Sequence, residues 1–246
     1  MRFVFKTSYI QDIQIFRDRV DRGWYILLAL AVIAVPFVMS DYYVGESAWV
    51  FIYGICGVSL MVLVGYTGLV SLGHAAFLGI GAYAHAYFLQ HGVPWVVSVA
   101  LAVAITTVCG FIVGLPALRM TGIYLAIATL AFSIIIQEIF SRWESVTHGF
   151  AGMAVEAPVI FGVSFKDERE FYFLCLLFLV IALYLTRNLL RTPTGRAWIA
   201  IRDSEIAAQS MGVNLAIYKS MAFAYSAGLM RLGGALFAHQ IGYLAA

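Results

Sequence analysis

The chain has 246 residues, of which 63% are hydrophobic and 11% are charged. Soluble domains carry about 25% charged residues, so the composition excludes an ordinary water-soluble domain and points to a membrane protein. The formal net charge of +2 is too small to suggest a nucleic-acid partner.

Residues 1–22 are polar and too long for a usual signal-peptide n-region, and the run from Trp24 to Ser40 lacks a small-x-small exit. That run therefore reads as a retained first span. Apolar runs predict seven spans in all, at about 24–40, 49–64, 72–89, 95–113, 122–140, 171–187 and 219–242, separated by breakers such as Asp41 to Glu46. Helices are expected, because a lipid-exposed backbone must satisfy its own hydrogen bonds and the runs lack the alternation of barrel strands. The predicted fold class is all-α: one polytopic helical bundle, a single domain over 1–246. The cysteines Cys56, Cys109 and Cys175 fall within spans at no metal spacing, so they read as packing residues and no metal is expected.

Lys and Arg set the orientation. With residues 1–23 in the cytoplasm, eleven basic residues lie inside: Arg2, Lys6, Arg17, Arg19, Arg22, Arg119, Arg187, Arg191, Arg196, Arg202 and Lys219. Three lie outside, Arg142, Lys166 and Arg169. This asymmetry predicts an N-terminus inside and places loop 188–218 in the cytoplasm.

The second and third spans flank a glycine-dense run from Gly65 to Tyr83. Gly65 and Gly68 permit a sharp re-entry of the chain, and non-helical backbone at membrane depth survives only inside protein or beside a wet cavity. Ser71, Ala75, Gly79 and Ala82 offer small packing surfaces. His74 is the ionisable group there; it either faces a pathway or sits neutral on a backbone carbonyl. Gly65, Tyr66, Ser71, His74 and Gly79 are candidate pathway or core residues.

At the fifth span Arg119 can snorkel to the headgroups and Thr121 is a plausible N-cap. Thr129, Ser133 and Gln137 recur at intervals of four and share one face, so Thr129 and Ser133 either line a pathway or bond a neighbouring helix. Loop 141–170 carries Glu144, Glu156, Asp167, Glu168 and Glu170 and reads as a solvated outer connection or a contact for an external partner.

Loop 188–218 carries the strongest signal. Pro193 to Arg196 reads as a turn. Residues 202–211 read as a short helix with Asp203 and Glu205 in its first turn, where the dipole favours them, and Gly212 as its stop. Ala207 and Ala208 leave a low surface for a partner, and bulky apolar anchors for a bilayer surface are lacking. Arg231 falls near the middle of the last span, at a cost of about 2.5–3.5 kcal/mol, and must find a partner. Residues 240–246 have no polar tail, and further spans are expected beyond them.

Three ordered blocks, GYTGLVSLGHAAFLGIGAY, RMTGIYLAIATLAF and TPTGRAWIAIRDSEIAAQSMG, resemble the LivM-like permeases, the integral membrane subunits of ABC importers for branched-chain amino acids. The resemblance covers roughly residues 50–240. It implies a permease of the bacterial inner membrane that works with a homologous second permease, two cytoplasmic ATP-binding subunits and an external solute-binding protein. It gives Gly195, Arg196, Arg202, Asp203, Glu205, Ala207, Ala208 and Gly212 the ATPase-docking role. The chain is then a transport subunit and no enzyme. No Gly-x-x-x-x-Gly-Lys-Ser/Thr run is present, so ATP-Mg belongs to partner subunits and this chain binds no cofactor. Branched-chain amino acids are the expected solutes, with urea or short amides as the alternative. The sequence departs from the resemblance at His148, which stands for a glycine, and at Arg231, which stands for a small residue. An ion-coupled secondary transporter would need a buried pathway carboxylate and an inverted repeat. Glu138 is the one acidic residue within spans two to five, and it lies near an outer end. A membrane enzyme would need a nucleophile with a base or a metal cluster, whereas the five histidines are scattered.

Overall fold

The computed structural model describes residues 19–116, 120, 122–160 and 162–245. Arg2, Lys6, Arg17, Arg119 and Thr121 lie outside the described residues; the cap position of the fifth span is held by Gly122.

The spans are helical: α1 (Arg19–Val38), α2 (Asp41–Leu60), α3 (Ala75–Gln90), α4 (Trp95–Gly114) and α5 (Ile123–Arg142). After a short α6 (Glu144–Thr147) come α7 (Glu168–Leu190), α8 (Pro193–Asp203), α9 (Glu205–Ser210) and α10 (Leu215–Ile241). Among the described residues five helices are long and apolar enough to cross a membrane: α2 with its continuation to Tyr66, α4, α5, α7 and α10. Residues 22–38 form a shorter apolar helix. With 16 residues, α3 spans about 24 Å at 1.5 Å per residue, less than a bilayer core of about 30 Å.

Asp41 to Glu46 does not break the chain as expected but opens α2. Ser40 is extended at the cap position, and Asp41 sits in the first turn, where the helix dipole favours a carboxylate. Glu168 and Glu170 likewise open α7 three residues before its predicted start, and Arg169 pairs with Asp41 at 3.1 Å to join the ends of α7 and α2.

At the centre lies α10, packed on α4, α3 and α2. Its run of small residues explains the fit. A Cβ on Gly110 of α4 would stand 2.5 Å from the Ala227 Cβ, and one on Gly234 of α10 would stand 2.4 Å from the Leu78 carbonyl oxygen. Small residues let backbones approach where lipid supplies no hydrophobic drive between helices. A larger apolar core joins α2, α7 and α10 through Ile52, Ile55, Tyr172 and Leu236, and the Tyr172 hydroxyl donates to the Val32 carbonyl of α1 at 2.7 Å.

The loop after α5 departs from a purely helical fold. Strand β1 (Met153–Ala154) pairs antiparallel with β4 (Tyr243–Leu244), and β2 (Val159–Ile160) with β3 (Val163–Ser164). His148 has φ +56°, and among the described residues it is the one non-glycine with positive φ. It thus occupies a backbone conformation that suits a glycine.

Candidate functional site

The candidates of loop 188–218 lie on two helices. Pro193 to Arg196 is no turn but the first turn of α8: Thr192 is extended before it, and Pro193 at the helix start needs no N–H partner. Arg202 and Asp203 close α8 instead of opening the predicted helix 202–211. The chain then bends at Ser204, whose hydroxyl accepts from the Ala207 N–H at 3.3 Å and caps α9. Glu205 opens α9, and Gly212 ends it at φ +87°, as expected of a C-terminal stop. Arg196 and Ala207 are exposed, while Gly195 is buried against Leu190.

Ala208 corrects the reading of a low alanine surface, since it is 3% exposed and faces the protein. The residues that project are Ile206 and Met211, 84% and 86% exposed. The segment therefore does carry bulky apolar anchors, which the alanine pair concealed in the sequence.

Three contacts bind this segment to the spans. Trp198 is buried with Leu63, Leu69 and Phe223, and its indole N–H donates to the Tyr218 carbonyl at 2.9 Å. The Lys219 ammonium, on a side chain 1% exposed, meets the Glu205 carboxylate at 2.7 Å. Arg202 donates to the Gly65 carbonyl at 3.0 Å and clasps Asp203 at 3.0 and 3.1 Å. Sequence reasoning missed Trp198 and Lys219. The spacing of Ala197, Trp198 and Ile201 was the available signal for the first, being one face of a helix.

Arg202 reaches the chain where α2 fails. Residues Met61–Tyr66, ending in the half-buried Tyr66, wind as a π-helix, a form that turns up at functional sites. Gly68 follows at φ +71°, and residues 68–74 are not helical. Burial alternates along them, with Leu69, Ser71 and Gly73 buried and Gly68, Val70 and Leu72 exposed. The far end rests on α5, where the Leu72 N–H donates to Thr129 Oγ1 at 3.0 Å. A Cβ on Gly73 would stand 1.7 Å from the Thr129 carbonyl oxygen, so only glycine fits this approach.

His74 is 2% exposed, and its Nε2 lies against Ser59 and Ser226. Ser59 and Ser226 each donate to the other's backbone carbonyl, at 2.7 and 2.8 Å. His74 Nε2 lies 2.8 and 2.7 Å from the two hydroxyl oxygens, and the imidazole ties segment 68–74 to α2 and α10. Its Nδ1 and the Ser71 hydroxyl are buried without a partner.

Beyond this segment, Ala75, Ala76 and Gly79 of α3 and Ser133 and Gln137 of α5 line a cavity of about 290 Å³ with Tyr83 and Phe140. That is close to the lower end of ligand pockets, about 300 Å³. Thr129 and Ser133 also donate to the carbonyls of Ala126 and Leu130 in their own helix.

Arg231 is wholly buried. One of its nitrogens donates to the Ser98 carbonyl at 3.4 Å, and Nε and Nη1 have no partner. A neutral network lies beside it. The Trp95 N–H donates to His239 Nε2 at 2.9 Å, which leaves His239 Nδ1 to donate to the Glu156 carbonyl at 2.7 Å. His85 bridges His239 at 3.0 Å and the Ser98 hydroxyl at 2.7 Å. Among the described residues no group of three or more His, Cys, Asp or Glu could hold a metal ion.

The structure thus joins Arg202, Gly65, Thr129 and His74 through one segment. It leaves Arg196 and Ala207 at the surface and Ala208 inside.

Comparison with known proteins gives the family. The family model described as branched-chain amino acid transport system / permease component matches residues 42–246. The chain is 36% identical to the high-affinity branched-chain amino acid transport system permease protein LivM of Salmonella typhimurium, an alignment covering 89% of this chain and 58% of the relative. It is 35% identical to the protein of that name from Escherichia coli, with the same coverage. The chain therefore spans 58% of the length of either relative. No solved structure matches. These relatives and the apolar helices make the chain a multi-pass inner-membrane protein. It belongs to the family of branched-chain amino acid transport permease components, and it is LivM-like.

Proposed function

We propose that this chain is the membrane permease of an ATP-driven importer of branched-chain amino acids. A homologous second permease completes the conduit, two cytoplasmic ATP-binding subunits hold ATP-Mg and dock on α8–α9, and an external binding protein delivers the solute. The chain crosses the bilayer seven times from a cytoplasmic N-terminus, with α1 and the short α3 completing the count. The wall formed by Gly79 and Ser133 lies on the solute side.

One observation carries this reading. The short α9 is fastened from behind by the Lys219–Glu205 pair and the buried Ala208, yet it presents Ile206 and Met211 to the outside. A rigid stub with two bare apolar side chains suits a protein partner.

Ile206→Glu with Met211→Glu should abolish co-purification of the ATP-binding subunits and lower ATP-dependent leucine uptake at least tenfold, with membrane insertion intact. Undiminished uptake would refute the docking assignment. Uptake of urea or acetamide, with none of leucine, isoleucine or valine, would move the chain to the alternative solute class.

A further inference from the structure

We propose that segment 67–74 carries motion from the docking helices to the α3–α5 cavity, with Arg202 and Thr129 as the positioning residues at its two ends. The inference rests on the functional reading above and adds the route of coupling.

The segment has contacts of the right kind at each end. On the docking side, Arg202 donates to the carbonyl of Gly65, at the point where the α-helical ladder of α2 has already given way to the π-helix. Its stem also covers Gly68, where an added Cβ would stand 3.1 Å from the Arg202 Cγ. Movement of the α8 C-terminus therefore acts on the first glycines of the break. On the cavity side, Leu72 and Gly73 rest on Thr129. His74 leads directly into Ala75 and Ala76, which line the cavity opposite Ser133 and Gln137.

The competing route runs from Trp198 into α10. That helix is locked to α2, α3 and α4 by contacts in which a single added carbon would collide, so it moves only with the whole core. Residues 68–74 are not helical, and beyond the Gly68 N–H bond to the Val64 carbonyl the segment has no α-helical ladder to preserve. Two of its polar groups, Ser71 Oγ and His74 Nδ1, are buried without partners, which leaves room for a second arrangement that bonds them better. Contact alone does not establish coupling between sites, so the route needs an energetic test.

The complete transporter in proteoliposomes provides it, with solute uptake and phosphate release measured together in the presence of leucine-loaded binding protein. Arg202→Gln should lower the solute moved per ATP about tenfold, whatever rate of phosphate release the altered docking face leaves. Arg202→Lys should recover part of that ratio, since an ammonium can still donate to Gly65. Thr129→Val, nearly isosteric and remote from the docking face, should lower the ratio by itself, and Thr129→Ser should restore it. The double variant Arg202→Gln/Thr129→Val should be no worse than the poorer single, because both interrupt one route. Uptake and phosphate release falling in step at constant ratio would overturn the proposal, as would single losses that multiply in the double variant. If Arg202→Gln fails to assemble, Thr129→Val decides alone. A wild-type complex that moves no leucine with ATP removes the functional reading and this inference with it. A wild-type complex that transports, with variants that keep its ratio, removes this inference only.

Discussion

The helices α10 and α5 are both apolar passes, but in the most apolar stretch of each 67% of α10 is buried and 17% of α5. The first is threaded through the molecule on glycine, alanine and serine, with neighbours on three sides. The second meets the rest of the chain at Thr129, where a broken segment leans on it, at Leu125 among Leu63, Trp198 and Phe223, and along the cavity it shares with α3. Close packing has few alternative arrangements of similar energy, so α10 serves as the fixed frame. The break is held largely by isolated hydrogen bonds, each worth about 0.5–1.5 kcal/mol net, and can rearrange at modest cost.

The comparison can be broken most directly at the frame. Gly234→Val must push α10 away from the Leu78 carbonyl, 2.4 Å from the first added carbon. Overpacking commonly costs about 1–3 kcal/mol and more where backbone blocks the new atoms, so little folded protein should survive detergent extraction. A melting temperature equal to wild type would show that the frame is softer than its contacts imply.

A smaller loss is expected where α9 is fastened to the α10 frame. Glu205→Gln leaves the Lys219 ammonium, 1% exposed, without its carboxylate. Removing one partner of a fully buried pair costs about 3–5 kcal/mol. Because the Glu205 side chain is 34% exposed, water already weakens the pair, and about 2 kcal/mol is expected. Thermal unfolding and protease cleavage within α9 should both register it. Cleavage that stays at the wild-type rate would show that α9 is fastened by other contacts.

The smallest effect should have the opposite sign. Arg231→Met removes a cation with two unpartnered nitrogens from the frame and keeps a flexible apolar side chain in the space that Gly81 leaves for it. Such exchanges are often neutral or stabilising by about 1–4 kcal/mol, and an increase near 1 kcal/mol is expected in the same melting assay. A marked loss would show that the guanidinium is bonded in the membrane by a group outside this chain.

Hydropathy alone identified the apolar passes, but it misplaced several ends. Asp41, Glu168 and Glu170 looked like loop residues because they are charged, although the dipole of a helix start stabilises them there. Residues 202–212 were legible as a short helical element ending at Gly212, but the division at Ser204 was not. Both halves contain good helix formers, and the bend depends on a cap whose geometry the tertiary fold supplies. Ala207 and Ala208 looked equivalent in sequence, yet one is exposed and the other buried, because the α8–α9 bend sets which side of a six-residue helix meets the protein.

By itself the amino-acid order determined that this is a helical membrane protein, where its glycine-rich break and the short segment ending at Gly212 fall, and to which family it belongs. Those properties are local: they follow from runs of apolar side chains, from residues that tolerate unusual backbone, and from ordered blocks of residues. Only the tertiary structure decided that Arg202 meets Gly65, that Lys219 neutralises Glu205, that His74 is clasped by two serines, and that Ile206 and Met211 are left bare. Each of these pairs or exposures depends on how helices far apart in sequence cross, and a periodicity along one helix carries no information about its neighbour.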